Sequence, residues 1–272
     1  VTSGSCYNKI IIGIEECIML NAERMEVIRD YIIRNKYGSI TELSAKLNTS
    51  PATIRRCFKQ LEEENLVESI RGGVVLVSND TINEQPYLVK RQQNTDEKVR
   101  IAAAACGYVH PDDCIFLDSS STVYEMCGGL KDIQSLSICT NDVLIASALN
   151  TLDNCTVMVT GGTVRKGYYT LTGYFSYDRI QQIHVDSYFA GVDAVTPNGD
   201  FMITNIEEVD AKRYLVENSN KCIVLCDHEK FMHSSFIKLW NYSQVDTVIT
   251  GRELDDEIYR KYVDMGMSII RV

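Results

Sequence analysis

The sequence predicts an α/β chain in two parts: a small helical unit closed by a β-ribbon, then a larger domain built on a mostly parallel sheet. Three observations predict it. Capped helical periodicity followed by a Gly-Gly turn occupies residues 21–78. After residue 94, seven short apolar runs alternate with helical patterns, as strands of a parallel sheet covered on both faces do. Between them, residues 79–93 are polar and contain Pro86, as a linker does.

Bulk composition agrees. A chain of 272 residues has room for one large domain, or for a small one joined to a medium one. With 45% hydrophobic and 24% charged residues it sits near the averages for soluble globular chains, which excludes a disordered or fibrous chain. Apolar runs such as Gly73 to Val77 and Ile101 to Cys106 fall far short of the roughly 20 residues that cross a bilayer. No basic stretch followed by an apolar run opens the chain, so a cytoplasmic protein with no membrane partner is expected. The ten cysteines are scattered without a Cys-x-x-Cys pair, and reduced, buried thiols are the plain expectation. His110, His184, His228 and His233 are dispersed, and no zinc spacing, P-loop, nucleophile elbow or dinucleotide fingerprint occurs. No metal, cofactor or catalytic residue is therefore expected.

The net charge of −10 is uneven. Residues 1–80 hold 10 basic against 11 acidic side chains, residues 81–272 hold 17 against 26, and the stretch Pro51 to Leu61 is basic with no acid. A nearly neutral unit with one basic face can hold a phosphate backbone. The acidic remainder must do something else.

Residues 1–20 read as a tail that need not belong to the native chain. Met19 is a candidate initiator, with Glu15-Glu16 readable as a translated purine-rich ribosome-binding site. Asn21 caps a helix with Met25, Ile28, Ile32 and Ile33 at helical spacing, ended by Gly38. Thr41 caps a short helix over Glu42 to Leu47. Ser50-Pro51 is a strong start signal, and the next helix runs to about Glu64, burying Ile54, Phe58 and Leu61. Two β-type segments, 66–70 and 74–77, flank Arg71-Gly72-Gly73 and read as a hairpin. Together these make a winged helix-turn-helix, whose second helix enters the major groove of double-stranded DNA. Ser50, Thr53, Arg55, Arg56 and Lys59 on that helix and Arg71 on the wing are the candidate contacts, arginine suiting both guanine edges and phosphates. A solvated surface would also explain the arginine pair.

The larger domain opens with a helix from Asp96 to Val109. Strands follow at 114–117, 136–139, 156–159, 187–190, 222–225, 247–249 and 268–270. Ligands of such sheets bind at the carboxyl ends of strands. There stand Asp118-Ser119-Ser120-Ser121-Thr122, an anion cradle or merely a helix cap, then Thr140-Asn141-Asp142, then Gly161-Gly162 with Arg165 and Lys166, and Asp227 with Lys230. Lys230 could neutralise an anion and Asp227 could accept from sugar hydroxyls. Glu208 and Lys212, four apart on a helix, are further effector-binding candidates, for which a mere surface pair is the alternative reading.

These motifs, in this order over residues 21–272, resemble the DeoR family of bacterial transcriptional regulators: Ser50-Pro51-Ala52-Thr53-Ile54-Arg55-Arg56, Arg71-Gly72-Gly73, Glu97-Lys98, Leu117-Asp118 with the hydroxyl loop, Thr140-Asn141-Asp142, Gly161-Gly162, Glu208 with Lys212, and Asp227 with Lys230-Phe231. The resemblance implies a cytoplasmic, oligomeric repressor whose second domain, related in fold to ribose-5-phosphate isomerase, binds a phosphorylated sugar. On the family pattern Asp118, Ser120, Ser121, Thr122, Thr140, Asn141, Gly161, Gly162 and Lys230 line the effector pocket. Two departures stand out: Cys57-Phe58 where the family continues Asp-Leu after the arginines, and Ser120 where it has glycine. The competing reading is a sugar-phosphate isomerase or deaminase on the same scaffold, with Glu208, Asp118 or Asp227 as general base.

Overall fold

The computed structural model describes residues 23–64, 66–76 and 84–272, and the chain divides into two units, 1–78 and 79–272. The expected tail over 1–20, the Asn21 cap, Val77 and the first part of the expected linker lie outside the described residues.

In the first unit, helix α1 covers residues 23–35 and turns Ile28, Ile32 and Ile33 inward. It stops earlier than Gly38: Lys36 takes a left-handed conformation (φ 64°), and Tyr37–Ser39 form strand β1. Helix α2 spans Ile40–Lys46 and is capped by Ser39, whose hydroxyl accepts from the Glu42 amide, so the expected Thr41 cap is displaced by two residues. Helix α3, Pro51–Glu63, begins as expected. Ser50 accepts from the Thr53 amide, proline occupies the first turn, and Ile54, Cys57, Phe58 and Leu61 at i, i+3, i+4, i+7 are buried. Strands β2 (Val67–Ile70) and β3 (Gly73–Leu76) form the hairpin, and β1 adds to it antiparallel in the order β1-β3-β2. The third strand escapes a linear reading because its partner lies more than thirty residues away.

The second unit begins before its expected boundary. Within the presumed linker, Tyr87–Gln92 form helix α4 with Tyr87 and Val89 buried. Helix α5 runs Thr95–Cys106, three residues short of the expected end. Then come β4 (Cys114–Leu117), α6 (Ser121–Tyr124), β5 (Leu136–Thr140), α7 (Val143–Leu149), β6 (Cys155–Val159), β7 (Thr163–Val164), β8 (Leu171–Thr172), α8 (Tyr174–Ile180), β9 (Val185–Gly191), β10 (Ala194–Val195), β11 (Asp200–Ile203), α9 (Val209–Glu217), β12 (Ser219–Leu225), β13 (Ile237–Asn241), β14 (Thr247–Thr250), α10 (Asp256–Asp264) and β15 (Ile269–Arg271).

The seven strands expected from apolar runs make one parallel sheet, ordered β15-β14-β12-β9-β4-β5-β6. Its side chains alternate between faces. Phe116, Tyr188 and Val224 enter one core with Trp240 and Tyr262, whereas Ile115, Leu117, Phe189, Ile223 and Leu225 enter the other with Ile101 and Met126. An antiparallel sheet β10-β11-β13 and the small β7-β8 ribbon were not expected. The order reverses at β4: the chain winds outward through β5 and β6, then returns to lay β9, β12, β14 and β15 on β4's other side. Such a reversal opens a crevice at the carboxyl ends of β4 and β9.

Candidate DNA-binding face and effector cleft

On the first unit the six candidate DNA contacts separate by role. Ser50 is spent as the α3 cap, its hydroxyl 2.9 Å from that of Thr53. Arg55 and Lys59, one turn apart, line a groove between α3 and the wing together with Ser69, Ile70 and Gly72. Arg56 and Arg71 are exposed. Among the described residues Arg55, Arg56, Lys59 and Arg71 have no carboxylate partner, so their charge is available to an anion. Cys57 and Phe58, the departure from the family pattern, are both core residues, and no acid ties the arginines back. Glu62, also in the groove, instead accepts from the Ser69 amide and pins the wing to α3.

In the second unit the reversal holds a cleft of about 50 Å³. The loop after β4 supplies Ser119 to Thr122, the end of β9 Gly191 to Asp193, and the segment after β12 Cys226 and Lys230. Ser120 is extended (φ −155°), a conformation open to any residue, so the missing family glycine costs no strain there. Its hydroxyl caps α6 by accepting from the Thr122 and Val123 amides. The glycine is needed across the way, where a Cβ on Gly191 would stand 2.4 Å from that of Ser120. Among the described residues the hydroxyls of Ser121 and Thr122 make no hydrogen bond and the ammonium of Lys230 makes no hydrogen bond or close ion pair, although its charge helps to hold Asp193 ionised. The Tyr87 hydroxyl is buried against the same cleft and is likewise unpartnered. A larger cavity of about 360 Å³ adjoins it and shares Glu84, Lys90, Asp193 and Lys230.

Of the other candidates, Glu208 and Lys212 also line the cleft, whereas Asp118, Thr140, Asn141, Gly161, Gly162 and Asp227 lie outside its lining. Asp118, fully buried, accepts from the Gly191 amide at 2.9 Å, the Tyr188 hydroxyl at 3.2 Å and the Lys212 ammonium. Lys212 also donates to the Gly191 carbonyl at 3.1 Å. Burial opposes its charge, but Asp118 and Glu208 more than offset that and hold the ammonium above its ordinary pKa. Glu208 and Lys212 are thus no surface pair. Thr140 donates to the Leu117 carbonyl, and Asn141 accepts from the Ser119 amide, so both shape the hydroxyl loop. Gly161 and Gly162 stand apart from the cleft lining. Gly162 takes φ 111°, where any Cβ would meet the Thr172 carbonyl at 2.5 Å. Asp227 caps the turn carrying Lys230 and lies 3.8 Å from Lys98, whose ammonium burial pulls down to about 8.

Several cleft residues had no sequence signal strong enough to single them out: Glu84, Tyr87, Lys90, Tyr168, Thr170, Asp193 and Asn205. Lys90 bridges Glu84 at 2.6 Å and Asp193 at 2.7 Å. Arg165, read from sequence as a loop cation, pairs with Glu84 and, at 3.1 Å, with Glu208. It also stacks 3.8 Å over the Tyr168 ring.

Glu208 makes this site sensitive to pH. Burial pushes its carboxyl up to about 7; Lys212 and Arg165 pull it down, while Glu84 and Asp118 raise it further. A carboxyl raised from 4.5 binds its proton more tightly in the folded state, so its ionisation removes stability as pH rises from 4.5 through about 7. Glu208→Gln should abolish that loss: wild type and variant should melt alike near about pH 4.5, and the variant higher at about pH 8. Parallel melting profiles over that range would show that Glu208 stays ionised.

Among the described residues no helix is long and apolar enough to cross a membrane. Residues 93–252 match the family described as the DeoR C terminal sensor domain, and residues 24–80 the DeoR-like helix-turn-helix domain. The HTH-type transcriptional regulator GolR of Listeria innocua is 29% identical over 253 residues, covering 92% of this chain and 98% of its own. The glycerol-3-phosphate regulon repressor of Escherichia coli is 28% identical over 232 residues, 85% of this chain and 91% of its own. Among solved structures, ribose 5-phosphate isomerase A of Methanocaldococcus jannaschii is similar over 51% of this chain and 55% of its own, at 16% identity and a TM-score of 0.38.

Proposed function

The chain belongs to the DeoR family of transcriptional regulators, and from that premise we propose that it is a cytoplasmic, homo-oligomeric repressor of a sugar-metabolism operon, released from its operator by a phosphorylated sugar. The observation that carries the effector half is the set of unpartnered groups converging on one cleft: the Ser121 and Thr122 hydroxyls, the Tyr87 hydroxyl and the Lys230 ammonium. A phosphate offers these donors the charged acceptors they lack, while Asp193 and Asn205 suit sugar hydroxyls. On the DNA side, Arg55, Arg56, Lys59 and Arg71 supply an unneutralised basic face, with Thr53 beside them. Effector binding then has to favour a state of weaker operator affinity, and by linkage operator DNA weakens effector binding equally.

Fluorescence anisotropy on DNA from upstream of the chain's own gene cluster, with and without a panel of sugar phosphates, tests this. Tight binding reversed by one compound is the expected result; binding that never rises above the salt-sensitive background would reject it. In the same assay Lys230→Ala should leave operator affinity intact and weaken the effector roughly 10- to 100-fold, the loss of a charge-assisted contact. Normal induction would remove Lys230 from the phosphate site.

Glu208 favours a second reading. A carboxyl near neutrality lining the cleft is what a general base in a sugar-phosphate isomerase or deaminase needs. Turnover of any panel compound, lost in Glu208→Gln, would establish it.

A further inference from the structure

Given that effector reading, we propose that the Glu84 carboxylate, paired with Lys90 and Arg165, fills one side of the same phosphate site as an internal stand-in, and that the effector's phosphate, held by the Ser121 and Thr122 hydroxyls and Lys230, displaces it and frees residues 84–86.

Lys90 and Arg165 both close on Glu84, and the Tyr168 hydroxyl donates to the Glu84 and Gln85 carbonyls at 3.2 and 2.9 Å. Carboxylate and phosphate satisfy the same donors, and a guanidinium fork takes either. Three carboxylates, Glu84, Asp193 and Glu208, already crowd the cleft. A phosphate dianion entering beside them raises the negative charge in a poorly solvated space, which favours protonation of Glu208 and withdrawal of the acid least firmly held.

Their attachments differ. Asp193 is fixed between β9 and β10 by Lys90 and by the Thr204 amide at 2.9 Å; burial raises its carboxyl, but Lys90, Lys230 and that amide together hold it below the usual range. Glu208 opens α9, held by Arg165 and by Asn205 at 3.2 Å. Glu84 lies in neither helix nor strand and is held by side chains alone. It also stands six positions beyond Ser78, where the first unit ends. Displacing Glu84 therefore takes least and moves the part of the chain joined to the DNA-binding unit. The stand-in lowers effector affinity by the fraction of time it fills the subsite, which is the coupling an inducible repressor needs.

Calorimetric titration of the full chain with inorganic phosphate and with the sugar-phosphate panel tests this. Glu84→Gln should bind phosphate, and whichever sugar phosphate wild type binds, about tenfold more tightly. Because residues 84–86 are then loosened without effector, the anisotropy assay should show weaker operator binding by Glu84→Gln before any sugar phosphate is added, and release at lower effector concentration. Unchanged or weaker affinity in Glu84→Gln, with wild type binding normally, overturns the stand-in and leaves the effector cleft standing. Absence of binding by both proteins to phosphate and to the whole panel overturns the cleft as well. Should Glu84→Gln fail to fold, Tyr168→Phe carries the same test, since it unfastens residues 84–85 and leaves both cations in place. It should tighten binding about threefold, and no change would overturn the proposal.

Discussion

Lys212→Met should cost the larger unit about 3–5 kcal/mol, read as a lowered midpoint in chemical denaturation. Lys212 joins α9 to Asp118 at the end of β4 and to the Gly191 carbonyl at the end of β9. Asp118 is wholly inaccessible, and its Oδ1 already lacks a partner. Without the ammonium, the carboxylate keeps only two neutral donors, the Gly191 amide and the Tyr188 hydroxyl. A buried charge stripped of its counterion costs far more than an exposed ion pair contributes, which is about 0–1 kcal/mol. Methionine fills most of the lysine volume, so a cavity does not account for the loss. The double variant Asp118→Asn with Lys212→Met removes both charges and should recover much of the stability, because a neutral amide can keep accepting from Gly191 and Tyr188. A loss under about 1 kcal/mol in the single variant would mean that water reaches Asp118.

Arg55→Ala should weaken operator binding by about 1–3 kcal/mol, roughly 5- to 150-fold, with folding stability nearly unchanged. Arg55 is exposed and unpaired, one helical turn before Lys59 on the groove between α3 and the wing, so its removal breaks nothing within the unit. If it reads a base edge, discrimination relaxes at one operator position while the salt slope changes little. If it clamps a phosphate, all sequences weaken alike and the slope falls by about one. Anisotropy on operator and scrambled DNA over a salt series separates the two. Unaltered affinity would move the DNA contact away from this face of α3.

Much of the fold was legible because the signals are local. Each of the seven parallel strands carries a short apolar run, buried on both faces in the inner strands and partly exposed in the edge strands β6 and β15, and all seven lie where the runs place them. Ser50-Pro51 announces α3 because a cap and a fixed proline φ act within one turn. Errors fell where two local signals compete or where pairing is remote. Ser39 and Thr41 are both good caps, and the choice of Ser39 goes with the pairing of β1 to β3 just before it. The β11 alternation, Phe201 with Ile203 inward, was readable in principle but is short, and β13 shows none, because adjacent Leu239 and Trp240 are both buried where the register shifts.

The site divides the same way. The hydroxyls of Ser121 and Thr122 and the charge of Lys230 follow strands directly, so strand ends alone point to them. Asp118 and Lys212, 94 residues apart, and Arg165 and Glu84, 81 apart, become partners only when β9 is laid against β4 and the β7-β8 ribbon meets the segment before α4. Residue order thus determined the two-part architecture, the strands, helix α3 and the polar strand ends, because periodicity, caps and turns act over a few residues. Which charges are buried, which cancel and which stay open to a ligand was decided by the tertiary structure, because Coulomb energy and desolvation depend on separation in space and on access of water, neither of which is written along the chain.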